Sequence, residues 1–198
     1  MLLRRIFLHR IFVLGLVAAI GPTLFSSMAW ADSFDVNLRD TSAQIQYSAS
    51  MGRDTLGKAE LHAGVLYANK QNMLGDFGLL VKDDVGGNAP GVTVGVGVKG
   101  LTAKVADIDA AALALGGLVR YAPFADSRFG IIGQLYFSPN IVTFGNANRY
   151  TEAVLRLEYE IIPQAAVYVG YRRISFGFEN LPNIVLEKGA HLGVRMMF

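Results

Sequence analysis

Cysteine is absent from this 198-residue chain, so neither a disulfide framework nor a thiolate metal site is available to it. Long apolar runs are almost absent as well. A transmembrane helix needs roughly 20 consecutive, predominantly apolar residues. Although 52% of the chain is hydrophobic, the 17% that is charged is scattered through the apolar stretches. A surplus of one charge sign is also missing, since the formal net charge is only +2. Metal and phosphate motifs are lacking too. His62 and His191 stand alone, and Gly95-x-Gly97 sits in a strand pattern without the strand–loop–helix context of a phosphate-binding loop.

The one run that approaches a membrane helix lies at the start. Arg4, Arg5 and Arg10 precede Ile11 to Ile20, a Gly21-Pro22 break follows, and Ala29-x-Ala31 stands before Asp32. A basic start, a short apolar middle and a small-x-small end predict a cleaved secretory signal peptide over residues 1–31, cut after Ala31. An uncleaved anchor helix is the alternative, disfavoured because the run is short for a span. R-R-I-F-L from Arg4 also resembles a twin-arginine export signal. That route carries folded cargo, whereas a barrel bound for the outer membrane must cross the inner membrane unfolded. Cleavage removes three arginines and no acid, taking the formal charge from +2 to −1. The basicity of the full chain therefore belongs to its export signal, and it implies no nucleic-acid partner.

What is present from residue 32 onward is alternation. Side chains of an extended strand point to opposite faces with period two. Ten segments carry that pattern: Phe34–Arg39, Ser42–Met51, Ala59–Asn69, Met73–Lys82, Val92–Lys99, Ala110–Tyr121, Arg128–Ser138, Tyr150–Ile161, Ala165–Ser175 and Lys188–Phe198. Val92, Val94, Val96 and Val98 against Thr93, Gly95, Gly97 and Lys99 form the least ambiguous strand. Ala110–Tyr121 begins Ala-rich and could be helical by propensity, but Gly116-Gly117 would weaken a helix. The stretches Asp83–Gly91, Pro139–Asn148 and Phe176–Val185 read as loops.

The segments run about ten residues, the length that crosses a bilayer as a tilted strand, whereas soluble strands average nearer five or six. Aromatics on the apolar parity fall near segment ends, with Tyr121, Phe129, Tyr159 and Phe198 toward one rim and Tyr67, Phe137 and Tyr171 toward the other. That is the layout of two aromatic girdles. The reading is an all-β, transmembrane, antiparallel up-and-down β-barrel over residues 32–198. An even strand count, with both termini on the periplasmic side, gives ten strands, eight being the runner-up. The closing segment presents Leu192, Val194, Met196 and Phe198 to lipid, and its terminal aromatic is expected to engage the outer-membrane assembly machinery. The polypeptide is expected to be a monomer in the outer membrane of a Gram-negative bacterium.

The polar parity then projects into the lumen. It contributes Glu60, His62, Asp76, Lys82, Lys99, Arg120, Arg128, Gln134, Tyr136, Glu152, Arg156, Glu158, Glu160, Tyr168, Arg172, His191 and Arg195, facing small residues such as Gly95, Gly97, Ala112, Ala114 and Gly116. A ten-stranded barrel is narrow enough for large side chains to fill the space left by small ones opposite, with charges paired across it. A structural, charge-paired plug is the leading expectation and a narrow or gated path for small solutes the second. A hydrolase or acyltransferase comes third, because no Ser, Asp and His group in the loops at usable spacing. No cofactor is expected.

Several stretches carry a family likeness: F-D-V-N-L-R-D from Phe34, S-A-Q-I-Q-Y-S-A-S from Ser42, L-G-G-L-V-R-Y-A-P from Leu115, Y-F-S-P-N from Tyr136, Y-T-E-A-V-L-R-L-E-Y from Tyr150 and Y-V-G-Y-R-R from Tyr168. In these the chain resembles the YfaZ family of small Gram-negative outer-membrane proteins, over nearly everything after Ala31. The resemblance implies an outer-membrane barrel and supplies no reaction, ligand or catalytic residue.

Overall fold

The computed structural model describes residues 32–198 apart from 55–56, 69–71, 87–89, 106–107, 124–127, 146 and 179–181. The expected signal segment, residues 1–31, lies outside the described residues, as do parts of the expected loops Asp83–Gly91, Pro139–Asn148 and Phe176–Val185.

Among the described residues eleven strands come in order: β1 (Ser33–Leu38), β2 (Ser42–Asp54), β3 (Gly57–Ala68), β4 (Asn72–Asp84), β5 (Val92–Val105), β6 (Ile108–Tyr121), β7 (Phe129–Ser138), β8 (Thr143–Gly145), β9 (Ala147–Ile162), β10 (Ala165–Phe178) and β11 (Ile184–Met197). All pairings are antiparallel. Each long strand pairs with its sequence neighbour, β7 joins β9, and β1 joins β11 to close the ring. The wall is thus a closed ten-stranded barrel. β8 is a three-residue strip that covers the part of β6 which the shorter β7 does not reach, at Ala110 to Ala112.

Asp32 and Phe198, whose backbones bond to each other at 2.9 and 3.0 Å, mark the near end of the barrel. The turn of Asp83–Gly91 closes there by Val85 N–H donating to the Val92 carbonyl. Gly91 adopts φ +80° and accepts a hydrogen bond from Ala122 N–H of the neighbouring turn, so the two are tied together. A side chain at Gly91 would strike Ala122, and only glycine fits that conformation and that contact.

The apolar parity points outward. Val96 is 72% exposed, Leu115 64% and Leu192 65%. Tyr121, Phe129, Tyr159 and Phe198 are exposed toward the near end, with the Phe129 and Tyr159 rings 4.7 Å apart. Tyr67, Phe137 and Tyr171 are exposed toward the far end. These oily side chains share no centre. In hydrocarbon every backbone polar group must be paired within the protein, and a closed ring does that without leaving an edge.

Three expected boundaries are corrected. β10 continues to Phe178 and β11 begins at Ile184, so five of the seven described residues in 176–185 are strand. A bulge explains the misreading: Ile174 pairs with Glu187 and Ser175 with Val185, leaving Leu186 as the extra residue. Leu186 and Glu187 are consequently both buried and break the alternation. Pro139–Asn148 holds a 3-10 turn (Asn140–Val142), β8 and the start of β9. β5 extends to Val105, well past Lys99.

Large inward side chains meet glycine on the neighbouring strand, not across the lumen as expected. His62 lies over its partner Gly78, Tyr136 over Gly116, Tyr168 over Gly193 and His191 over Gly170. Each ring lies along the wall over the strand beside it, which narrows the lumen without crossing it.

Candidate functional site

Within the wall the lumen has two halves. The near half is a cavity of about 590 Å³ with a charged lining. Its lining reaches inward as far as Gln44, Asp76, Lys99, Tyr136, Glu152 and Arg172. Toward the far end the inward positions turn apolar. Leu66 of β3, Leu74 of β4, Leu101 and Val105 of β5, Ala110, Ala112 and Ala114 of β6, Tyr150 of β9, Ile174 and Phe176 of β10 and Leu186 of β11 pack into one buried cluster. Wall strands supply all of these side chains, so the cluster is as fixed as the barrel itself.

Charges in the cavity are paired along three levels. At the mouth Lys82 bonds Glu60, and deeper His62 Nε2 stands 3.8 Å from Asp76 Oδ1. Asp35 organises the opposite wall. It accepts from the Tyr168 hydroxyl, from Arg156 Nη1 at 3.2 Å and from Arg195 Nε at 3.4 Å. Arg195 also reaches Glu158 at 2.8 Å, and Arg120 lies 4.0 Å from the same carboxylate. The Arg156 guanidinium rests 4.6 Å above the Tyr168 ring.

The third level floors the cavity. Lys99 bonds Glu152, which accepts from the Tyr150 hydroxyl at 2.6 Å. The Lys99 ammonium sits 4.6 Å from the centre of the Tyr136 ring. Beside it Arg172, 1% exposed, bonds Gln44 and stands 2.7 Å from Glu187, which also accepts from Ser42 Oγ at 2.5 Å. A charge taken out of water is tolerable when it is both ion-paired and hydrogen-bonded. Where polar lumen meets apolar plug, Glu152 meets both conditions fully, while Arg172 and Glu187 are ion-paired and keep one hydrogen-bonded neighbour each, with Arg172 Nε left over among the described residues.

Most of the sequence-predicted network residues come together here. Glu60, His62, Asp76, Lys82, Lys99, Arg120, Gln134, Tyr136, Glu152, Arg156, Glu158, Glu160, Arg172 and Arg195 line the cavity. Arg128 does not join them. It is exposed at the turn before β7, where its carbonyl accepts from Glu160 N–H. His191 is buried edge-on to Tyr168, with ring centres 5.9 Å apart.

Sequence reasoning missed Asp35, Gln44, Ser42 and Glu187 as partners. The first three sit on the polar parity of recognised segments, so their inward direction was readable. The bulge hid Glu187. The plug was missed as well, although Leu66 and Ala68 already broke the polar parity at the far end of their segment.

The chemistry of these groups is chiefly mutual neutralisation. His62 is too far from Asp76 for a hydrogen bond, and among the described residues no hydroxyl bonds to it, although Ser48 is its cross-strand partner. The nucleophile–base contact of acyl transfer is therefore not made here. Among the described residues no three His, Asp or Glu side chains group closely enough to hold a metal.

The family described as YfaZ precursor matches residues 13–198, nearly the whole chain. The protein belongs to the YfaZ family. No curated protein matches it. Among solved structures it is similar to a KdgM porin in complex with disordered oligogalacturonate, at 11% identity and a TM-score of 0.48, covering 85% of this chain and 99% of that one. A second KdgM porin structure gives 11% identity and a TM-score of 0.43 over the same shares. At that distance neither likeness bears on the lumen of the YfaZ protein or on what enters it.

Proposed function

We propose that this YfaZ protein is exported through residues 1–31, is cut after Ala31 and resides as a monomer in the outer membrane of a Gram-negative bacterium. There it acts structurally or by surface contact, without catalysis and without conducting. The exposed apolar belt between two aromatic girdles supports the membrane location. The non-conducting reading rests on one observation, the apolar plug that wall side chains build across the far half of the lumen. Each fully buried Leu or Phe in it is worth roughly 2 kcal/mol, so opening a path through several of them costs a large part of a typical barrel's stability.

A second reading is favoured by the cavity. Its volume of about 590 Å³ admits a small solute from the near end, and a far-end rearrangement would turn it into a narrow channel. Planar-bilayer recording of refolded protein separates the two. No steady current steps are expected from the native chain, and steps are expected from a Leu66→Gly, Leu101→Gly, Phe176→Ala variant. Steady, ion-selective conductance from the native chain would transfer the assignment to the channel.

A further inference from the structure

On one sector of the wall three cations face away from the lumen network. Arg173 of β10 and Lys188 of β11 are direct cross-strand partners, and both are exposed on the outward parity. Arg149 of β9 is exposed on the same outer face, opposite Gly177 of β10. Like charges placed directly opposite on one sheet face destabilise the pairing unless a counter-charge is supplied. Among the described residues no carboxylate supplies it. The neighbouring Glu187 points inward and is taken by Arg172 and Ser42.

Two independent features fix the depth of this patch. Just below Arg173 on the same face lies exposed Tyr171, a residue type that settles at the membrane–water boundary, followed by Val169. The second is the unequal length of the strands at the seam. β1 pairs with β11 only up to Leu38 opposite Leu192, so residues 184–191 have no β1 partner. Unpaired backbone groups cannot stay in hydrocarbon. Lys188 and its partner therefore stand at headgroup level. Around them the outer face carries mostly short side chains, Ala153, Ser175, Gly177, Ala190 and Thr151, with Val185 beside Ser175.

From this we infer that the Arg149–Arg173–Lys188 face binds the phosphate groups of lipopolysaccharide in the outer leaflet. Resting on the proposed outer-membrane location, the assignment uses the position of the patch at the end opposite both chain termini, the outward end of such barrels. Arg173 and Lys188 together hold one phosphate by charge-assisted hydrogen bonds. Arg149, four residues further along the sheet and so about 13 Å away, meets a second. That spacing is of the order of a disaccharide's length, which selects a diphosphorylated sugar headgroup over a single-phosphate phospholipid.

The test titrates folded full-length mature protein, in zwitterionic micelles, with diphosphoryl lipid A, monophosphoryl lipid A and phosphatidylglycerol. Diphosphoryl lipid A is expected to bind saturably and at least fivefold more tightly than either of the others. Arg173→Gln with Lys188→Gln is expected to weaken it tenfold or more, Arg173→Lys to retain most of it, and Lys104→Gln, on another sector of the wall, to leave it unchanged. Binding of the double variant within twofold of the native protein overturns the assignment, and so does phosphatidylglycerol binding as tightly as lipid A. Should the double variant fail to fold, Arg149→Gln decides, with a loss of about fivefold supporting the site and no loss removing it. Membrane fractionation is read separately: recovery in the inner membrane would overturn the location, whereas the micelle titration tests the patch itself.

Discussion

Arg172 shows how single residues decide this lumen. It bonds Gln44 on one side and lies 2.7 Å from Glu187 on the other, with both charged side chains almost wholly buried. Removing one member of such a pair leaves a buried charge without a partner, which costs on the order of 3–5 kcal/mol. Arg172→Ala is therefore expected to lower the urea midpoint of refolded protein sharply, whereas Arg172→Met with Glu187→Leu recovers most of the loss. Equal losses in the single and double variants would mean that packing, not charge, sets the effect. The inward direction of Arg172 was legible from parity alone, because its neighbours Tyr171 and Arg173 had to face outward. Its partner was not legible, since a side chain's parity says nothing about which strand the ring's closure brings opposite it.

Elements were legible where alternation is uninterrupted and opaque where it breaks. β5 and β9 announce themselves through unbroken runs such as Val92–Val98 and Ala153–Ile161. β11 was recognised only from Lys188 onward because Leu186 and Glu187 face the same way, and two successive inward residues erase a period of two. β8 was invisible for another reason: three residues are too few to show any period. The bulge at Leu186 makes an element-scale prediction. Deleting Leu186 restores alternation, leaving Val185 outward, Glu187 inward and Lys188 outward. A folded barrel is expected to migrate differently on a gel before and after boiling, and the variant is expected to do so as well. Its thermal midpoint should fall, because the plug loses a fully buried side chain, worth about 2–5 kcal/mol by analogy with Leu→Ala truncation. Loss of the gel shift would show instead that the extra residue is needed for register.

For the whole molecule, the ring and its outward oily face could be read from the sequence, and the division of its interior could not. Counting polar residues on the inner parity suggests a lumen charged throughout. Only the register of neighbouring strands reveals that the apolar exceptions, Leu66, Leu74, Leu101 and Tyr150 among them, fall at one level. The absence of native cysteine allows a direct check of that two-part interior. Gln46→Cys, in the cavity lining, is expected to react with a water-soluble maleimide in the folded protein, while Leu101→Cys reacts only after boiling. Comparable labelling of both before denaturation would mean that water fills the barrel from end to end.

Asp35 carries a consequence for the order in which the molecule is made. It sits on the first strand to be synthesised, yet its partners Arg156, Tyr168 and Arg195 come 121, 133 and 160 residues later. Until the last of them arrives, β1 holds a lone carboxylate beside a half-built ring. Contacts so distant in sequence form slowly. The first piece synthesised is therefore the last to be locked in place, and a chain cut short before its final hairpin has no means of finishing its beginning.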